Sequence, residues 1–231
     1  MASAVELAGT LRRFAPPVEA VELFLHEGVE LIARHLGVPQ PFQTAAPAYV
    51  LAEAADHSDP TEVLIEALAD TDPDKVLLAT TAADRARLWR HRESHTDAIN
   101  RAGTPRKLDV SVPLPAYAEF AEAVPKMLRD LSPTAMPIRF GHIADGNLHV
   151  NVLHAPEEID IDGAVFDLVA QFGGSISAEH GIGTAKKPWL HLNRSPMEIA
   201  IARAIKASLD PKGMLNPHCI FSESEIAGAV A

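Results

Sequence analysis

Gly141-His142-Ile143-Ala144-Asp145-Gly146-Asn147-Leu148-His149-Val150-Asn151 is the stretch whose reading decides the fold. Asp-Gly is a strong hairpin signal, because both central positions of a type I′ turn need positive φ. With Asp145-Gly146 as that two-residue turn, Ala144 faces Asn147, Ile143 faces Leu148 and His142 faces His149. Directly opposed residues have Cβ atoms roughly 5 Å apart, close enough for two imidazoles to share one metal ion. Strand alternation also puts Asn147, His149 and Asn151 on the face that carries His142. Polar residues gathered on one face of an otherwise apolar hairpin point to a site. Asn151 is read as a substrate contact through that shared face, whereas turn chemistry alone would equally account for Asn147.

The second informative stretch is Gly173-Gly174-Ser175-Ile176-Ser177-Ala178-Glu179-His180-Gly181-Ile182-Gly183. A short strand, Ser175 to Ala178, is expected to end in a carboxylate and an imidazole, followed by glycines that let backbone come close. Two His and one Glu form the three-ligand, open-position set of a catalytic zinc or a related divalent ion. His142, His149 and Glu179 are therefore the candidate ligands, and His180 stands beside them, free to move a proton. A lone buried histidine is ordinarily a core side chain with its hydrogen bonds met. The opposed pair and the later carboxylate lift these two above that reading. His95, His154 and His191 have no such company and are expected at the surface, while Trp89 and Trp189 are expected to pack.

A length of 231 residues with 47% hydrophobic content suits one large domain or two small ones with a full core. The formal charge of −11 argues against nucleic acid or an anionic membrane surface as partner. An anionic substrate remains compatible with it, since a few local cations can reverse the sign inside a cleft. Cys219 is the single cysteine, which excludes an internal disulfide framework. No basic-then-apolar leader and no apolar run long enough to span a bilayer occur, so a cytoplasmic protein without membrane insertion is expected.

Residues 5–14 and 17–36 are helical in pattern, broken at Pro16-Pro17, with Val21, Leu23, Phe24, Val29, Leu31 and Ile32 as core candidates. Ala48 to Ala55 reads as a strand, Asp59-Pro60-Thr61-Glu62 opens a helix to about Asp70, and Lys75 to Thr81 reads as another strand, giving a β-α-β unit. A polar helix covers 82–102 and an amphipathic one 116–131. Strands Ile138 to His142 and Asn147 to His154 flank the turn, and a helix runs from Pro156 to Phe172. Ser195-Pro196-Met197-Glu198 caps a further helix through Leu209. The second run is β-β-α-β, so an antiparallel sheet covered by helices on one side is expected. Gly181 to Lys187 lacks the Gly-Lys-Ser/Thr ending of a phosphate loop.

Three ordered motifs carry a resemblance: GHIADGNLHVNV from Gly141, GGSISAEHGIGTAKK from Gly173, and DPKGMLNP from Asp210 to Pro217. Together they resemble the C-terminal half of the FAD-linked oxidases of the vanillyl-alcohol oxidase superfamily. The branch they resemble holds D-2-hydroxyglutarate dehydrogenase, D-lactate dehydrogenase and the glycolate oxidase flavin subunit. Leu88-Trp89-x-x-Arg92-Glu93, followed by Lys107-x-Asp109-Val110-Ser111-Val112-Pro113, is similar to that family's substrate-anion segment. Departures are Ala144, where the family usually has Gly, and His218-Cys219, where Gly-Lys is common.

The resemblance implies an α+β domain, a ferredoxin-like antiparallel sheet covered by helices, over residues 1–221, with 222–231 as a tail. It implies oxidation of a small D-2-hydroxy acid, lactate and glycolate being among the candidates. A divalent ion, zinc before others, would sit on His142, His149 and Glu179, with His180 as proton acceptor. Arg92, Thr96 and Lys107 would hold a carboxylate, joined by Asn151, and a flavin would be met at Asn147 and Asn216. Arg92 and Thr96, four apart, would share one helix face. The FAD itself is expected on a domain or subunit that this chain does not resemble anywhere, so the isolated chain is expected to be inactive. The acid and the electron acceptor stay open, and a homodimer is compatible with the reading. Two other functions use the same residues: a non-enzymatic metal- and carboxylate-binding module, and a metal hydrolase.

Overall fold

The computed structural model describes residues 1–14, 18–54 and 59–221. Pro16-Pro17, Ala55 and the tail 222–231 lie outside the described residues. The chain runs α1 (Ala2–Phe14), β1 (Val18–Leu25), α2 (His26–Leu36), β2 (Ala48–Ala54), α3 (Thr61–Ala67), α4 (Ala82–Glu93) and α5 (His95–Ala102). It continues through β3 (Arg106–Ser111), α6 (Leu114–Leu131), β4 (Met136–His142), β5 (Asn147–Leu153), α7 (Ile161–Gln171) and α8 (Pro196–Leu209). One five-stranded antiparallel sheet has the order β2-β1-β4-β5-β3.

The ferredoxin-like unit lies in its second half. Strand β3, helix α6, the β4–β5 hairpin and helix α7 return the chain to the outer edge of β3, where Ser111 and Ser175 pair antiparallel. The expected strand Ser175 to Ala178 is reduced to that bridge. Ser175 exchanges hydrogen bonds with Ser111, and Ala178 N donates to Asp109 O, so three residue steps on one side span two on the other. A ladder cannot continue across that mismatch, and the segment bulges away. Strands β1 and β2 extend the sheet at the β4 edge.

Helices cover both faces, not one. On one face Val21, Leu23, Leu108, Val110, Leu148 and Val150 meet Tyr117, Phe120 and Val124 of α6 and Val165, Phe166 and Val169 of α7. On the other, Phe24, Tyr49, Ile138 and Phe140 meet Val29 and Ile32 of α2 and Ala98 and Ile99 of α5. The two-sided cover explains why 17–36 reads as one helix. Strand β1 lies between β2 and β4 with Val21 to Leu25 all buried, so its residues show no clean apolar–polar alternation, and it abuts the true helix α2. The core candidates named there are all buried even though the element type differs.

Two further expectations change. Residues 75–81 form no strand; Pro73–Lys75 is a 3-10 turn capped by Asp72, and Leu77 and Leu78 are exposed, an apolar run with no strand to pair among the described residues. The polar helix 82–102 divides at Ser94 into α4, capped by Thr81, and α5.

His95, expected at the surface, is in the core. It is 1% exposed and packed between the rings of Phe24 and Phe140, at 5.4 and 4.8 Å. Its Nδ1 lies 3.1 Å from Arg92 O, its Nε2 has no hydrogen-bond partner among the described residues, and a Cβ added at Gly28 would come within 2.3 Å of that nitrogen. Burial pushes its pKa down to about 4. The unfolded chain therefore binds a proton that the folded one refuses, and stability falls as pH drops from the ordinary imidazole value toward 4. From pH 7 to pH 5 this residue alone should withdraw about 2 kcal/mol. Urea unfolding at both pH values checks it: the same pH step should cost His95→Gln less by that amount, and an equal loss in both proteins would refute it.

Candidate active site

The hairpin turn differs from the two-residue reading. Ile143–Asp145 makes a 3-10 turn closed by Gly146 at φ 71°, and Asp145 does not take the positive φ that a type I′ turn requires. Gly146 is obligatory here, since a Cβ would also stand 2.2 Å from Val112 O. The wider turn sets Phe140, rather than His142, opposite His149. Because the slip is of two residues, the side chains keep their faces. His142 and His149 become diagonal neighbours with ring centroids 5.9 Å apart.

Each of these histidines stands in register with a carboxylate from a different strand. Glu22 of β1 is the partner of His142, and Asp109 of β3 is the partner of His149. Glu22 is 3% exposed; its Oε1 is 2.5 Å from His142 Nδ1, and its Oε2 accepts from Arg92 Nε at 2.6 Å. Burial pushes the Glu22 carboxyl up, but the His142 hydrogen bond and the Arg92 charge outweigh it and hold it below the usual range. The same hydrogen bond raises His142. Arg92 also lies over the Phe140 ring, 4.6 Å from its centroid.

Asp109, 2% exposed, gathers the other half. Its Oδ1 accepts from Asn147 Nδ2 at 2.7 Å and lies 3.3 Å from His149 Nδ1. Its Oδ2 accepts from the backbone N–H groups of Glu179 and His180 at 2.9 and 3.3 Å. Burial alone would raise Asp109; the Glu179 N–H, the Asn147 amide and His149 hold it low. His149 itself is lowered, chiefly by burial. Asp109 thus fixes the Glu179-His180 turn against the hairpin, and Lys186 Nζ donates to its carbonyl at 3.1 Å.

With both Nδ1 atoms facing carboxylates, the Nε2 atoms remain for a ligand, and His142 Nε2 is 3.5 Å from Glu179 Oε1. Carboxylates behind imidazoles in this way are the usual support of metal-bound histidine. The donor types are those a divalent ion takes, but among the described residues no group of three is spaced to hold one, so the expected ligand set is not supported as it stands. The side chains of Glu179 and His180 are 53% and 67% exposed, open to a second body. A cleft of about 470 Å³ beside them is lined by Glu22, Trp89, Arg92, His142, Ala144 and Asp145.

The structure therefore brings together His142, His149, Glu179, His180 and Arg92. Arg92 reaches the cleft with its Nε already committed to Glu22. Thr96 is exposed on α5, across the Ser94 break from Arg92, so the shared helix face does not form as one continuous helix. Lys107, exposed, and Asn151, 6% exposed, are partners two pairs beyond Asp109 and His149 along the sheet, on the same face. Asn147 is 2% exposed with its amide turned inward to Asp109 and to His142 N. Asn216 is exposed at φ 45°, its carbonyl accepting from Cys219 N. His154 and His191 are at the surface as expected, and Trp189 packs on Phe166. Trp89 is half-buried and donates to Glu53. Sequence reasoning missed Glu22 and the role of Asp109. Their signals were a lone acid inside the apolar run Val21 to Leu25 and the alternation Lys107-x-Asp109-x-Ser111.

The family of FAD linked oxidases, C-terminal domain, matches residues 1–220. The chain belongs to this family. D-2-hydroxyglutarate dehydrogenase of Xanthomonas citri pv. viticola is 40% identical over 218 residues, covering 88% of this chain and 46% of the relative. The protein of the same name from Stutzerimonas stutzeri is 33% identical over 218 residues, covering 88% and 47%. The chain thus spans about half the length of the curated relatives it matches. The 4-ethylphenol oxidase of Gulosibacter chungangensis, solved with isoeugenol, shares the fold at TM-score 0.59 and 15% identity, over 96% of this chain and 51% of that one. FAD is the cofactor the family implies. Among the described residues no helix is long and apolar enough to cross a membrane.

Glu22→Gln should lower the His142 pKa, because the bond that raises it loses its charge, while His149 moves less. Imidazole C2–H titration by NMR reads both, and an unmoved His142 would show the pair to be unimportant. Glu22→Ala should cost about 3 kcal/mol in urea unfolding, since a mostly buried Arg92 is left unpaired.

Proposed function

We propose that this chain is the substrate-binding half of an FAD-dependent D-2-hydroxy acid dehydrogenase, D-2-hydroxyglutarate being the first substrate to test. The observation that carries the reading is the cluster of His142, His149, Glu179 and His180, supported from behind by the buried carboxylates Glu22 and Asp109. The named activity of the relatives supports it, and it is theirs as whole proteins of about twice this span.

His142, His149 and Glu179 would hold a divalent ion, zinc by donor type, which when bound supplies Lewis acidity to a substrate hydroxyl. Bound FAD supplies the two-electron acceptor chemistry. The remaining work belongs to this chain. The His180 imidazole takes the substrate hydroxyl proton, from an exposed position 3.8 Å from Asp109 Oδ2. Arg92 presents the guanidinium edge not used by Glu22 to a substrate carboxylate, and its stacking on Phe140 and the Glu22 bond fix that edge. Lys107, Thr96 and Asn151 extend the carboxylate-binding side along β3, α5 and β5. Asn216 is the residue assigned to the flavin side, whereas Asn147 serves the site through Asp109. Lactate and glycolate are the smaller acids to compare, and a cytoplasmic setting and inactivity of the chain alone belong to the same proposal.

The test joins this chain to a flavin-holding half. The isolated chain with added FAD and a dye should not oxidise D-2-hydroxyglutarate or D-lactate; the completed protein should. His180→Ala should then lower kcat about 10²–10⁴-fold with zinc content unchanged. His149→Ala should lose zinc by elemental analysis, in the isolated chain as well. Full zinc retention by His149→Ala together with undiminished turnover by His180→Ala would remove the assignment.

A further inference from the structure

Strand β3 is an edge of the sheet, and its outward carbonyls take their donors from outside the ladder. Ser111 O accepts from Ser175 N at 2.7 Å, and Asp109 O accepts from Ala178 N at 3.3 Å, where the pairing gives out. Beyond Ala178 the chain leaves the sheet as Glu179-His180-Gly181 and returns at Lys186, whose Nζ donates to the same Asp109 O at 3.1 Å. Both ends of the loop 178–186 are therefore held on one carbonyl. Between them, Ser177 Oγ donates to Gly181 O at 2.7 Å and Lys186 N donates to Ile182 O at 3.1 Å. Gly181 and Gly183 stand at φ 76° and 56°.

A lysine on a surface loop ordinarily extends its ammonium into water. Lys186 is instead half-buried and turned inward, with Nζ 5.9 Å from the centre of the Phe166 ring. Trp189 packs on the same ring at 5.2 Å, so the returning end of the loop is seated on α7. Burial pulls the Lys186 ammonium below its ordinary pKa, with the Asp109 charge opposing. We propose that Lys186 is a positioning residue for proton transfer, its ammonium closing the loop 178–186 on β3 so that His180 keeps a fixed place beside His149. The proposal rests on His180 as the proton acceptor of the proposed function; the two rings stand 6.5 Å apart, centre to centre. The Asp109 carboxylate cannot do this alone, since it holds the N–H groups of Glu179 and His180 at the outgoing end only. With the returning end released, the two glycines let the turn swing. A misplacement of about 1 Å at a reacting group can lower a rate about 10²-fold.

Two variants test it: Lys186→Met keeps the stem and removes the donor, and Lys186→Arg restores a donor. In the chain alone, amide hydrogen exchange across 178–186 should quicken about fivefold or more in Lys186→Met and stay near wild type in Lys186→Arg. Exchange of β5 should be unchanged in both. In the protein completed with a flavin-holding half, Lys186→Met should lower kcat for D-2-hydroxyglutarate about 10–100-fold with KM within about twofold. Lys186→Arg should recover most of that loss. Added to His180→Ala, Lys186→Met should lower kcat no further, because a residue that acts through His180 has nothing to position once the imidazole is gone. Unchanged loop exchange in Lys186→Met, a loss that falls on KM, or a loss fully additive to that of His180→Ala overturns the proposal. Loss of β5 protection in Lys186→Met overturns it too, in favour of a general support of the fold. Quickened loop exchange in Lys186→Met with no turnover by any completed protein keeps the loop closure and removes the proposed function instead.

Discussion

Two buried carboxylates on one sheet face set the terms for the rest of the structure. Glu22 and Asp109 are 3% and 2% exposed, and a charge so placed is tolerated only when its oxygens are met by cations and donors. Arg92, His142, His149, Asn147 and the Glu179-His180 backbone are those partners. Each carboxylate reaches its histidine through strand register, β1 with β4 and β3 with β5. A slip of one residue in either pairing would turn the acid into the apolar core on the opposite face, which makes the register itself part of the site.

The sheet divides its faces accordingly. One is apolar throughout under α6 and α7; the other is apolar only where α2 and α5 cover it, and polar beyond. A column of rings joins the two regions of that second face, from His149 on Phe140 at 5.1 Å to His95 and Phe24 behind. The site therefore rests on packed strands, with only the Glu179-His180 turn supplied by a loop. That arrangement suits a chemistry requiring ligands held to a fraction of an ångström. It also accounts for the tether through Asp109, since the loop would otherwise have no fixed relation to the hairpin.

The domain keeps its reactive side open. Glu179 and His180 are exposed, His142 joins Glu179 to the cleft lined by Glu22 and Arg92, and most of the large exposed apolar side chains fall between Met197 and Ile220.

Much of this was legible in the residues. The hairpin strands, the Ser195 capping box, the glycine at the turn and the shared face of His142 and His149 follow from local rules: period-two alternation, cap chemistry and positive φ. The face on which each hairpin residue lies survived even the misread turn, because side-chain parity is indifferent to a shift of two. Other features were decided by tertiary contact alone. Strand β1 could not be told from helix, since burial on both faces erases alternation. His95 read as a surface residue, since nothing local shows that Phe24, Phe140 and Gly28 close around it. Glu22 became a site residue only when β1 fell in register beside His142, a pairing across 120 residues of sequence that no spacing rule reaches.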